Sequence, residues 1–146
     1  MPIFDKNGHI LAPLTLSAAN TSDLVLLKSA LKDLKTVCGR CEIDIPQGTP
    51  INLDAGFDSK SNRKAIWNAG LKPNIKENKR NRKYVKRVRK RYFDHSLYAL
   101  RFICERSFAW EDKFRRTLVR YDFYAWIYHA FHLLAFALIN FRNTIT

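Results

Sequence analysis

Residues 123–141, FYAWIYHAFHLLAFALINF, run for nineteen positions without a charged side chain. A stretch of that length has two destinations, a bilayer or the interior of a folded domain, because either one removes its apolar surface from water. His129, His132, Asn140 and several aromatics make it weakly hydrophobic for a membrane span, and no second span follows it. The expected element is a C-terminal helix buried in a soluble core. Trp126, His129, Leu133 and Phe136 recur at helical spacing and are expected to meet a partner helix. At 146 residues the chain allows one domain of ordinary size with a core of its own.

Around that apolar end the composition is strongly basic. Twenty-six Lys and Arg against thirteen Asp and Glu give a formal charge of +13 and a pI near 10.0. An excess of that size points to a polyanion, nucleic acid first and an anionic membrane surface second. The opening MPIFDKNGHI has no basic stretch followed by an apolar one, so no signal peptide is expected and the chain reads as cytoplasmic. Three cysteines, an odd number, argue against a disulfide framework. Cys38 and Cys41 form CGRC, half of a zinc ribbon with no second pair. Cys104 has no histidine at ligand spacing, so unpaired thiols are expected.

Taken in order, the chain alternates strands and helices, the pattern of a mixed α/β sheet. Pro2-Ile3-Phe4 and residues 10–18 read as strands joined by an Asn7-Gly8 turn. The first is so short that the chain enters in the middle of a sheet. Asn20 to Asp23 supply N-cap chemistry for a helix over 24–37, with Leu24, Leu27, Leu31 and Leu34 on one face and Gly39 just past its end. Ile51-Asn52-Leu53 is a short buried strand with Asp54 at its C-terminal end, where α/β sheets place functional side chains. The plainer reading of Asp54 is a turn residue bonded to its own backbone. Asp58 or Ser59 then caps a helix through Ala69, closed by Gly70. Residues 71–75 follow as an edge strand, since Pro73 cannot donate to a ladder.

Residues 76–91, KENKRNRKYVKRVRKR, hold ten Lys or Arg and one acid. Such a run is usually solvated, and its use is phosphate contact, with Tyr84 available for stacking or packing. Residues 94–118 read as one helix capped by Asp94. Leu97, Leu100, Cys104 and Phe108 give its apolar stripe. Beside that stripe, Tyr98, Arg101 and Glu105 fall within roughly 60° of one another. Spacing alone favours an Arg101–Glu105 pair on a half-buried face. With Asp54 upstream, a second arrangement opens: carboxylates from a strand end and a helix holding divalent cations for phosphodiester chemistry.

These segments together resemble the C-terminal half of a DDE transposase of bacterial insertion sequences, in the group whose glutamate lies in a Tyr-x2-Arg-x3-Glu-x6-Lys signature. Tyr98, Arg101 and Glu105 stand in register with its first three positions, and INLDAGFDS resembles the segment around the second catalytic aspartate. CERSFAWEDKFRR and NIKENKRNRK resemble the run after the glutamate and the basic linker. The resemblance covers about residues 5–142. It implies a ribonuclease H-like mixed sheet with flanking helices, incomplete at the N-terminus, and Mg²⁺- or Mn²⁺-dependent cleavage and joining of transposon ends.

By the same resemblance Asp54 and Glu105 are metal ligands. Arg101 positions a DNA phosphate or Glu105, and Tyr98 packs or bonds near the cleavage site. DNA contacts are expected from Lys76, Lys79, Arg80, Arg82, Lys83, Lys86, Arg87, Arg89, Lys90 and Arg91, and from Lys113, Arg115 and Arg116. The signature lysine falls at Asp112, with Lys113 one place on and about 80° away from Glu105. No residue matches the family's first aspartate, and Asp5, beside a turn, is not promoted to it. The expectation is a transposase portion, inactive alone, whose partners are DNA, the N-terminal part and, when complete, further copies of itself. Competing readings are a basic nucleic-acid-binding module without catalysis and a small protein anchored to a membrane by 123–141.

Overall fold

The computed structural model describes residues 2–12, 17, 20–78 and 91–145. Two short strands, β1 (Ile3–Phe4) and β2 (Ile10–Ala12), pair antiparallel, with Ile3 opposite Ala12 and Phe4 opposite Ile10. Asp5 makes the turn between them. Its Oδ1 accepts from the amides of Asn7 and His9, both at 2.8 Å, and Gly8 takes a φ of 92° that a side chain would resist. Of the strand expected over residues 10–18, β2 accounts for Ile10–Ala12, and residues 13–16, 18 and 19 lie outside the described residues.

Helix α1 (Asp23–Arg40) begins at Ser22, whose hydroxyl accepts from the Leu24 amide. It runs three residues beyond the expected end and carries Gly39 inside it, because the left-handed position falls to Glu42, at φ 54°. Its buried face is Leu27, Ala30, Leu31, Leu34 and Cys38, while Leu24 stands exposed at the first turn. This face packs on Ile3 of the hairpin and on Leu53, Ile66, Leu71 and Ile75 beyond it, so one core lies under both sheets.

The second sheet pairs β3 (Pro50–Leu53) with β4 (Lys72–Ile75) in parallel, Asn52 opposite Asn74 and Leu53 opposite Ile75. The crossover is α2 (Lys60–Asn68), capped by Ser59, with Gly70 beyond its end at φ 83°, as the spacing predicts. Asp58, the other candidate cap, does something else. Its carboxylate is 6% exposed and takes Arg63 Nε and Arg91 Nη1 at 2.8 Å and the Asn78 amide at 3.0 Å. The residues on either side of 79–90 are thereby tied to one buried acid.

The single helix expected over 94–118 is three: α3 (His95–Ala99), α4 (Phe102–Glu111) and α5 (Arg115–Leu118). Asp94 caps α3 as expected, accepting from Ser96 and Leu97. Around Leu100–Arg101 the backbone stays right-handed, but its bonds tighten to the i−3 carbonyl, Arg101 to Tyr98 and Cys104 to Arg101. That change of winding rotates α4, so Ile103 and Ser107 face inward while Leu100 and Phe108 of the expected stripe are exposed. Helix α6 (Ala125–Ile145) starts two residues later and ends four later than the uncharged stretch. It packs on α4 and α5 through His132, Ala135, Phe136 and Ile139. Of the four residues expected at that contact, Phe136 is buried and His129 partly so, whereas Trp126 is 68% and Leu133 41% exposed. No helix among the described residues is long and apolar enough to cross a membrane.

Candidate active site

Asp54 sits where β3 ends and a single 3-10 turn, Ala55–Phe57, begins. Its carbonyl accepts from the Phe57 amide, but its side chain makes no capping bond to that turn. The local turn thus leaves the carboxylate to point elsewhere, and it meets the α3–α4 bend. Arg101 Nη1 reaches Asp54 Oδ1 at 2.6 Å. The same Nη1 donates to the Tyr98 hydroxyl at 3.0 Å, and that hydroxyl lies 3.5 Å from Asp54 Oδ1, at the limit of a hydrogen bond. Tyr98 is braced by Phe93, ring centres 5.1 Å apart. The i−3 winding of the bend keeps Tyr98 and Arg101 on one side although the helix is interrupted.

Burial works against the charge of Arg101, but the Tyr98 hydrogen bond and the negative charges of Asp54 and Glu105 outweigh it and hold the guanidinium more firmly protonated than usual. Glu105 is exposed, one turn into α4 on the flank of Arg101. The ion pair that spacing assigned to Arg101–Glu105 is made to Asp54 instead. Cys104, between them in sequence, is raised mainly by its burial, with lesser effects from the charges of Arg101, Glu105 and Asp54.

Oxygen donors of Asp54 and Glu105 have the chemistry of a hard-cation site. Both contacts of Asp54 land on Oδ1. Among the described residues no group of three His, Cys, Asp or Glu is placed to hold a metal ion. The cysteines are free.

Of the expected DNA contacts, Lys79, Arg80, Arg82, Lys83, Lys86, Arg87, Arg89 and Lys90 lie outside the described residues, as does Tyr84. Lys76 is exposed after β4. Arg91 is held by Asp58 and, more loosely, by Glu77 at 4.0 Å. α4 stops at Glu111, and Lys113 turns its ammonium over the Trp110 ring, 3.7 Å from the centre, with Arg142 also at that ring. Arg116 lies over Phe131, and Arg115 is exposed beside it. Sequence reasoning missed the asparagines behind the site, Asn52 and Asn74, which bind α3 to both strands. Their only signal was two polar residues inside short apolar strands.

The family model for the transposase DDE domain matches residues 3–140. The chain belongs to the transposase DDE domain family. A similar curated protein, the "Putative transposase for insertion sequence element IS402" of Burkholderia cepacia, is 29% identical over 139 residues, which is 94% of this chain and 59% of that protein. The chain therefore spans about three-fifths of the length of this relative. No solved structure matches it. In this chain the meeting of Asp54, Tyr98 and Arg101 joins two segments that lie far apart in sequence.

Proposed function

We propose that the chain carries part of the catalytic core of an insertion-sequence transposase, with ribonuclease H-like architecture, acting in metal-dependent cleavage and joining of transposon ends. The observation that supports this is the contact of Arg101 and Tyr98 with Asp54, Tyr98 standing 44 positions after Asp54 in the chain. Asp54 and Glu105 would hold Mg²⁺ or Mn²⁺, which when bound activates the attacking oxygen and stabilises the leaving one. Arg101, now neutralising Asp54, orients a DNA phosphate or Glu105, and Tyr98 fixes the guanidinium by its hydroxyl. Lys76 and the basic residues of 79–90 contact the DNA backbone with Lys113, Arg115 and Arg116, while Arg91 anchors the segment's end on Asp58.

A hard cation held by two protein carboxylates keeps most of its waters and is bound weakly. The 146-residue chain is therefore expected to bind DNA without cutting it. The test is Mg²⁺-dependent nicking of a supercoiled plasmid carrying the cognate ends, by the chain alone and fused to the N-terminal part of a relative. Nicking by the fusion, lost in both Asp54→Asn and Glu105→Gln, is the expected result. Nicking that survives both substitutions would sink the assignment. Nicking by the chain alone that Glu105→Gln abolishes would keep the two carboxylates and remove the need for a further ligand.

A further inference from the structure

Asn74 is the most completely buried polar side chain described, at 0% exposure, and it is fully bonded. Its Nδ2 donates to Asn52 Oδ1 at 2.7 Å and to the Asp94 carbonyl at 3.0 Å, and its Oδ1 accepts from the Asp94 amide at 2.8 Å. Asn52, opposite it in the parallel register, donates its own Nδ2 to the Leu97 carbonyl at 2.7 Å. The Asn74 amide brackets Asp94 as a neighbouring strand would, with one bond to its N–H and one to its C=O. Asp94 is also the cap of α3, and Leu97 immediately precedes Tyr98. Asn52 stands on β3 two residues before Asp54, which directly follows the strand's last residue.

We propose that Asn52 and Asn74 are positioning residues that fix α3 against the ends of β3 and β4 so that Tyr98 and Arg101 meet Asp54. The physical reason is directional. A leucine at 74 would fill the space and fix no register, whereas an amide with every donor and acceptor used holds α3 in one position along the strands. A turn of slippage, about 5.4 Å, would carry Arg101 off Asp54. The proposal rests on the catalytic reading for its purpose, but its geometry is tested separately.

The experiment is NMR of the arginine-¹⁵N-labelled chain, following the guanidinium N–H signals of Arg101, assigned by their loss in Arg101→Lys. Isoleucine methyl signals of Ile66 and Ile75 report the core. In Asn74→Leu the methyl signals are expected to stay dispersed while the Arg101 signals move to the position of solvated arginines. Asn52→Ala, which removes the Leu97 bond from a half-buried site, gives a smaller shift in the same direction, and carries the test if Asn74→Leu does not fold. Arg101 signals unchanged in a folded Asn74→Leu, or in Asn52→Ala where the leucine variant is lost, would overturn the proposal. The catalytic reading fails elsewhere, in plasmid nicking that ignores Asp54→Asn and Glu105→Gln.

Discussion

Arg101 is 35% exposed and Asp54 52%, so the ion pair between them works largely in solvent. Exposed pairs contribute roughly 0–1 kcal/mol to stability. Arg101→Gln is therefore expected to shift the melting temperature by no more than about 3 °C. On the proposed catalytic role, the same substitution should lower nicking by the fused chain about 10²-fold, the scale of losing one preorganised charge at a reacting phosphate. Calorimetry beside the plasmid assay checks both, and a large loss of stability with proportionate loss of activity would make the pair structural. The cysteines give a second residue-scale expectation. Burial raises the Cys38 thiol, with the nearby Cys41 adding to it, and burial raises Cys104, whereas Cys41 is exposed. Alkylation near pH 8, followed by mass spectrometry, should modify Cys41 at least about tenfold faster than the other two.

The elements that flank the site are held by single polar side chains acting between them. Burial alone would push the Asp58 carboxyl up, but the hydrogen bonds from Arg63 and the Asn78 amide and the charges of Arg63 and Arg91 outweigh it and hold it below the usual carboxylate range. A carboxyl depressed in the folded state contributes stability that is present above its unfolded pKa, about 3.9, and lost as pH falls through the folded value. Asp58→Ala should cost about 3–5 kcal/mol at pH 7, since it leaves two arginines without their carboxylate. Urea midpoints from pH 7 to 2 should fall below about pH 4 in the wild type, and less so in the variant. Asn140 plays a similar part at the other end. Its amide pairs with both backbone groups of Ile10, at 2.7 and 3.1 Å, and covers the outer side of β2 with α6. Asn140→Ala should cost about 1–3 kcal/mol, and hydrogen exchange at Ile10 should quicken.

Across the whole molecule the charge of +13 makes the proposed DNA binding salt-dependent. Log affinity for duplex DNA should fall with log salt at about −0.9 per phosphate neutralised. Replacing one lysine of 79–90 by alanine should reduce that slope by about 0.9. Arg91→Ala should leave the slope nearly unchanged and lower stability instead, because its guanidinium lies on Asp58. Binding titrations between about 50 and 200 mM salt decide this, and equal slope changes for both variants would refute the division.

The sequence by itself determined the local elements and the residues worth watching. Ser22, Ser59 and Asp94 cap the helices they were expected to cap or border, Gly70 closes α2, and Asp54 stands at a strand end. These depend on neighbours within a few residues, and short-range sterics and hydrogen bonding write them directly into the chain. The register of Tyr98, Arg101 and Glu105 was equally legible, and with INLDAGFDS it pointed to the family. The tertiary structure decided partners and directions. Arg101 had a carboxylate four residues away and took one 47 residues away instead, because the i−3 winding turns it toward β3. Periodicity drew one helix over 94–118 and set Trp126 and Leu133 of α6 against it beside Phe136, though only Phe136 is buried there, since period alone does not say which face of an all-apolar helix meets a neighbour. Asn52 and Asn74 became a clamp through strand pairing, a contact between residues 22 apart that neither segment encodes alone.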